Sequence, residues 1–187
     1  NHMYKGIFSE GHLGVSFFFI LSGFILSLNY KNRILSGEVT EKEFWVARVA
    51  RIYPLHLFTL LLSLPLFYSG FFHQALSTAV KFIANMFLLQ SFIPVRDIYF
   101  SFNIPSWSIS NEMFFYLLFP FIIVAFSRYK SLAGISTILL LLIPVGILIC
   151  PHNYEHRLFY VNPFYRLSDF VIGILLFNIY EGEKFKS

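Results

Sequence analysis

Six apolar runs, each close to the length that crosses a bilayer, constrain this chain more than any other feature. They fall at about Leu13–Tyr30, Ile52–Tyr68, Leu76–Ile93, Ser106–Phe126, Leu132–Cys150 and Phe164–Tyr180. A spanning helix needs about 20 predominantly apolar residues. The runs are solid blocks, without strand alternation or the one-sided stripe of a soluble helix. Charged residues make up 13% of the chain and hydrophobic ones 57%, whereas soluble domains carry about 25% charged residues. In hydrocarbon the backbone N–H and C=O groups must be satisfied internally, and runs of this length do so as helices. The expected fold class is therefore all-α, a polytopic transmembrane helix bundle of about six spans. No linker, repeat or low-complexity tract interrupts it, so residues 1–187 read as a single domain.

A single cysteine, Cys150, excludes an internal disulfide framework and a Cys-rich metal site. The six histidines lack metal-ligand spacing, and His152 and His156 lie in a loop beside Pro151, so no metal is expected. The net charge of +4 suits basic residues beside membrane spans rather than a nucleic-acid surface. Asn1 to His12 lack the apolar core of a signal peptide. The chain is expected to open between two membrane helices of a longer protein, and Asn1-His2-Met3 also fits a cloning remnant.

The segment from Lys31 to Arg51 holds Lys31, Arg33, Lys42, Arg48 and Arg51, which places it in the cytoplasm by the positive-inside rule. Thr40-Glu-Lys-Glu43 has the form of a capping box, predicting a short interfacial helix that carries Phe44 and Trp45 into the second span. Pro54 would then sit in that span's first turn. Alternation through six spans puts Pro94–Pro105 and Pro151–Tyr160 on the cytoplasmic side and Arg128 with Lys130 outside.

Four constellations bear on chemistry. Glu112 lies inside an apolar run, where a carboxylate costs about 2.5–3.5 kcal/mol on insertion scales. It reads either as half of a structural ion pair or as a site residue, with Trp107, Ser108, Ser110 and Asn111 as polar company. Arg48 and Arg51, at i, i+3, share a helix face. They fit a bidentate clamp on an anionic cofactor or a basic anchor to lipid headgroups. Ser22 and Gly23 in the first run permit close helix approach. Arg166 and Asp169, again at i, i+3, are placed to neutralise each other at a span entrance. His56 reads as a satisfied polar group.

In order along the chain, these blocks resemble the membrane acyltransferase-3 family, which includes bacterial O-acetyltransferases acting on O-antigen, peptidoglycan and other glycans. The resemblance is carried by Gly14-Val-Ser-Phe-Phe-Phe-Ile-Leu-Ser-Gly-Phe24, Arg48-Val-Ala-Arg51-Ile-Tyr-Pro54, Trp107-Ser-Ile-Ser-Asn-Glu-Met-Phe-Phe-Tyr-Leu-Leu-Phe-Pro120 and Asn162-Pro-Phe-Tyr-Arg166-Leu-Ser-Asp-Phe-Val-Ile-Gly173. The family has more spans than six, so the resemblance implies truncation at both ends. It also implies that His2, twelve positions before Gly14, corresponds to the family's catalytic His, whose partner Arg would lie upstream of Asn1. The family more often carries Asp where this chain has Ser16.

The resemblance implies an integral O-acyltransferase of a bacterial inner membrane. Acyl-CoA, with acetyl-CoA the expected donor, would bind from the cytoplasm with its phosphates on Arg48 and Arg51. No permanently bound cofactor is implied. His2 would act as general base on a hydroxyl of a glycan or other acceptor, and Glu112 would orient or balance charge in the site. Trp107, Ser110, Arg166 and Asp169 would supply substrate contacts or polar bracing. A transporter of an acylated or anionic solute is the competing expectation, with Glu112, Arg166 and Asp169 marking its path. An inert truncated product is a third.

Overall fold

A computed structural model describes residues 11–67, 74–129 and 160–184. Among them there is no strand. The helices are α1 (Gly11–Leu35), α2 (Glu41–Ser63), α3 (Ala75–Met86), α4 (Arg96–Tyr99), α5 (Ser106–Arg128) and α6 (Pro163–Lys184), with short 3-10 turns at Leu64–Phe67 and Gln90–Phe92. Three stretches are long and apolar enough to cross a membrane: Gly14–Leu35, Glu41–Leu66 and Ser106–Arg128. α6 has 22 residues, about 33 Å at 1.5 Å per residue, which also matches a hydrocarbon core.

The aromatic richness of the sequence goes into helix–helix contacts. Phe19, Phe44, Phe115, Phe119 and Phe170 are fully buried. Their rings meet across helices, with centroids 5.1 Å apart for Phe19–Phe115 and for Phe115–Phe170, and 5.3 Å for Phe44–Phe119. Large apolar side chains such as Phe17, Phe58, Leu62 and Phe121 point outward, as a lipid solvent permits. α1 and α6 touch backbone to backbone. A Cβ added at Gly23 would lie 2.1 Å from the Phe170 carbonyl oxygen, and one at Gly173 would lie 2.0 Å from that of Ile20. Small residues are what allow this approach. The pair is parallel, since Arg166 bonds Ser16 near the starts and Lys31 ion-pairs with Glu181 near the ends.

α2 differs from the expected interfacial helix followed by a separate span. The capping box forms, with Thr40 Oγ1 accepting from the Glu43 N–H at 3.3 Å and Glu43 Oε2 accepting from the Thr40 N–H at 2.9 Å. From there one continuous helix runs to Ser63, with Pro54 in its interior instead of its first turn. The charged segment is thereby reduced to a tight turn between Leu35 and Glu41, with Gly37 at φ +75°.

The expected third span, Leu76–Ile93, is not a span. α3 ends at Met86 after 12 residues, about 18 Å. Leu88 takes φ 56°, which breaks the helix. Asn85 turns its side chain to Ser101 Oγ (2.8 Å) and accepts from Ser106 Oγ, while Gln90 donates to the Ser106 carbonyl and hydroxyl. His56 Nε2 bonds the Asn85 carbonyl at 2.8 Å. Polar side chains in the apolar run thus brace irregular backbone, which is tolerated at membrane depth where protein buries it.

Loss of that span reverses the expected sidedness. Asn103, just before α5, bonds Thr59 far along α2, whereas Tyr116 and Phe121 of α5 meet Trp45 near the start of α2. α5 is therefore antiparallel to α2. The Pro94–Pro105 segment lies at the end opposite the basic turn, and Arg128 lies at the same end as it. Tyr160, the one described residue of Pro151–Tyr160, packs on Trp107 at the start of α5 and so also lies opposite the basic turn. The expected span Leu132–Cys150 lies outside the described residues.

Candidate active site

Two turns of α5 and facing turns of α1 and α2 line an open cavity of about 520 Å³. Ser22, Asn29, Tyr30 and Arg33 come from α1, Arg48 and Arg51 from α2, and Glu112 and Tyr116 from α5. Phe18, Leu21, Ile25, Leu26 and Ile52 complete the wall. The cavity reaches from mid-bundle, at Ser22 and Glu112, to the basic end, at Arg33.

Glu112 occupies the inner part. Its Oε1 accepts hydrogen bonds from the Tyr116 hydroxyl, one turn along the same helix, and from Ser22 Oγ at 3.4 Å. Both guanidinium groups of α2 are within electrostatic reach of it. Arg48 is buried, and its Nη2 donates to the Tyr30 hydroxyl at 2.6 Å. Its guanidinium carbon sits 4.9, 5.7 and 5.9 Å from the ring centroids of Tyr30, Phe44 and Tyr116, a cation–π cage. Its Nε has no hydrogen-bond partner among the described residues. Arg51 is exposed to the cavity side of the bundle. Neither arginine has a carboxylate within salt-bridge distance among the described residues. A buried guanidinium held by aromatics and a neutral hydroxyl retains capacity for an anion.

Arg48, Arg51 and Glu112 are thus brought together, whereas Trp107, Ser110, Arg166 and Asp169 do not line this cavity. Trp107 is buried against Tyr160, ring centroids 4.7 Å apart. Ser110 bonds the Leu88 carbonyl and Ser91 Oγ, bracing the break after α3. Arg166 donates to Asp169 (2.9 Å), Ser16 (2.7 Å) and the Tyr160 carbonyl (2.8 Å). That cluster lies near the start of α1, six residues or about 9 Å along the axis from Ser22. Ser16, standing where the family more often has Asp, supplies a neutral acceptor there. His2 lies outside the described residues. Sequence reasoning missed Tyr30, Asn29 and Arg33 as cavity residues. Tyr116, at i+4 from Glu112, carried a readable signal. Among the described residues no three His, Cys, Asp or Glu side chains converge as metal ligands.

A helical bundle with membrane-length apolar helices and a partly charged interior cavity is an integral membrane protein with a buried polar site. The chain belongs to the acyltransferase-3 family, whose acyltransferase-domain model matches residues 5–187. It is 39% identical over 112 residues to the acyltransferase MdmB of Streptomyces mycarofaciens, covering 59% of this chain and 28% of that protein. A protein of Acidianus two-tailed virus named as an acetyltransferase is 30% identical over 179 residues, 94% of this chain and 50% of its own length. One of Staphylococcus aureus named as an O-acetyltransferase is 26% identical over 210 aligned residues, 100% of this chain and 33% of its own. The chain therefore spans half or less of the length of these relatives. No solved structure matches it.

Proposed function

We propose that the protein containing this chain is an O-acyltransferase of a bacterial inner membrane, moving an acyl group, acetyl in the simplest case, from acyl-CoA to a hydroxyl of a glycan or similar acceptor. The supporting observation is the convergence of Glu112 and two arginines, neither with a salt-bridge carboxylate among the described residues, on one cavity in a member of an acyltransferase family. The relatives named above as acetyl- and O-acetyltransferases support the reaction class. Arg48 and Arg51 hold phosphate oxygens of the donor, entering from the basic end. The acceptor hydroxyl attacks the thioester carbonyl, CoA leaves as its thiol, and the acyl group becomes an ester. His2 takes the hydroxyl proton. Glu112 positions and balances the charged groups between donor and acceptor.

The test uses the full-length parent in membranes. Arg48→Ala and Arg51→Ala should each raise KM for acyl-CoA about tenfold or more, the worth of a charge-assisted hydrogen bond, while the protein still inserts. Unchanged turnover in the double variant removes the clamp. Acceptor-dependent release of free CoA separates this reading from a transporter, which would release none. Full activity in His2→Ala removes His2 from the mechanism.

A further inference from the structure

We propose that Arg33 is a third anion-contacting group at the mouth of the cavity, and that Glu38 occupies it until an anionic ligand arrives. The inference rests on the acyl-CoA reading for the identity of the ligand, and on geometry for the device itself.

Arg33 lines the same cavity as Arg48 and Arg51. Its guanidinium carbon lies 5.7 Å from the Tyr30 ring centroid, the ring that also carries Arg48 at 4.9 Å. Tyr30 therefore ties the outer cation to the buried one. Among the described residues three guanidinium groups line the cavity against one carboxylate, Glu112, an excess of positive charge that suits a ligand bearing several phosphate oxygens.

Arg33 is engaged, but loosely. Its Nε donates to Glu38 Oε1 at 2.8 Å, and both side chains are about half exposed. The contact uses Nε alone, so the two terminal nitrogens are unengaged among the described residues. An exposed ion pair of this kind is weak, and a bidentate phosphate is a stronger partner for the same fork. The turn presenting Glu38 is well bonded. Gly37 N–H donates to the Ile34 carbonyl at 3.1 Å and Val39 N–H to the Arg33 carbonyl at 3.0 Å. Exchange of Glu38 for a ligand therefore needs only side-chain rotation, with no backbone rearrangement. Glu38 acts as an intramolecular competitor, keeping Arg33 at the mouth of the cavity.

The experiment measures calorimetric binding of CoA, and separately of pyrophosphate, to the full-length parent in nanodiscs at low salt, with KM and kcat alongside. Glu38→Gln should tighten binding about two- to fivefold, because removing a weak competitor releases only that much. Arg33→Ala should weaken it about tenfold and raise KM for acyl-CoA in parallel, and Arg33→Lys should recover part of the loss. The double variant should match Arg33→Ala alone, since Glu38 acts only through Arg33. The proposal is overturned if Glu38→Gln leaves binding unchanged or weakens it, or if its tightening persists without Arg33. Binding of pyrophosphate but not CoA, with the Glu38 and Arg33 effects intact, would sink the acyl-CoA reading and leave the latch standing. Binding of neither probe would overturn both.

Discussion

Ser22 and Tyr116 grip the Glu112 carboxylate from two helices, so its position is set by the bundle as well as by its own turn. Glu112→Gln keeps the shape and removes the charge. We expect turnover in the full-length parent to fall about a hundredfold, two factors of ten at 1.4 kcal/mol each, with KM for acyl-CoA little changed. Near-normal turnover would reduce Glu112 to a bracing residue. Tyr116→Phe removes one hydrogen bond to that carboxylate and should cost about tenfold in turnover. At this scale the sequence was partly legible. The expense of a carboxylate in an apolar run singled out Glu112, and the i, i+3 spacing singled out Arg48 with Arg51. Ser110 serves as polar bracing and not as a neighbour of Glu112, for a geometric reason. Two residues along a helix turn through about 200°, so its side chain faces the α3–α5 connection instead of the cavity. Tyr30 lies 18 residues from Arg48 in sequence, and no local pattern connects them.

Between elements, α1 and α6 approach each other backbone to backbone at Gly23 and Gly173. Gly173→Ala would press a methyl group onto the Ile20 carbonyl and should destabilise the protein by about 1–3 kcal/mol, as overpacking does. Gly23→Ala should behave alike against Phe170. Gly14→Ala is the control, because nothing lies within 4 Å of a Cβ there, and gain of a helix-favouring residue should leave stability unchanged or slightly raised. Thermal unfolding in detergent compares the three, and equal midpoints for Gly14→Ala and Gly173→Ala would refute the contact. The small residues of the first run had already suggested close packing; their partner could not be read from them. The capping box was legible because it is local. The end of α3 was not, because hydropathy counts Asn85 and Gln90 as minor interruptions, while their hydrogen bonds to Ser101 and Ser106 stop the helix.

Sidedness belongs to the whole molecule. With α3 falling short of a span, α5 descends toward the basic turn, so Arg33, Lys42 and Arg128 gather at one end, in keeping with the positive-inside rule. In a parent with its native cysteines replaced, Cys150 among them, single cysteines at exposed Ser36 and Tyr129 should label from the cytoplasmic face, and one at Ile104 from the opposite face. Labelling of Ile104→Cys from the cytoplasmic face and of Tyr129→Cys from the opposite face would restore the alternation first expected. By itself the sequence determined what is additive along the chain: apolar runs that must become membrane helices, a local cap, and charges too costly to be idle where they stand. Only the tertiary structure decided which runs cross fully and which charges meet. Those outcomes depend on hydrogen bonds and packing between residues far apart in sequence, such as Ser22 with Glu112, Tyr30 with Arg48 and Asn85 with Ser101. No periodicity or spacing within one segment encodes which distant partner will satisfy a buried polar group.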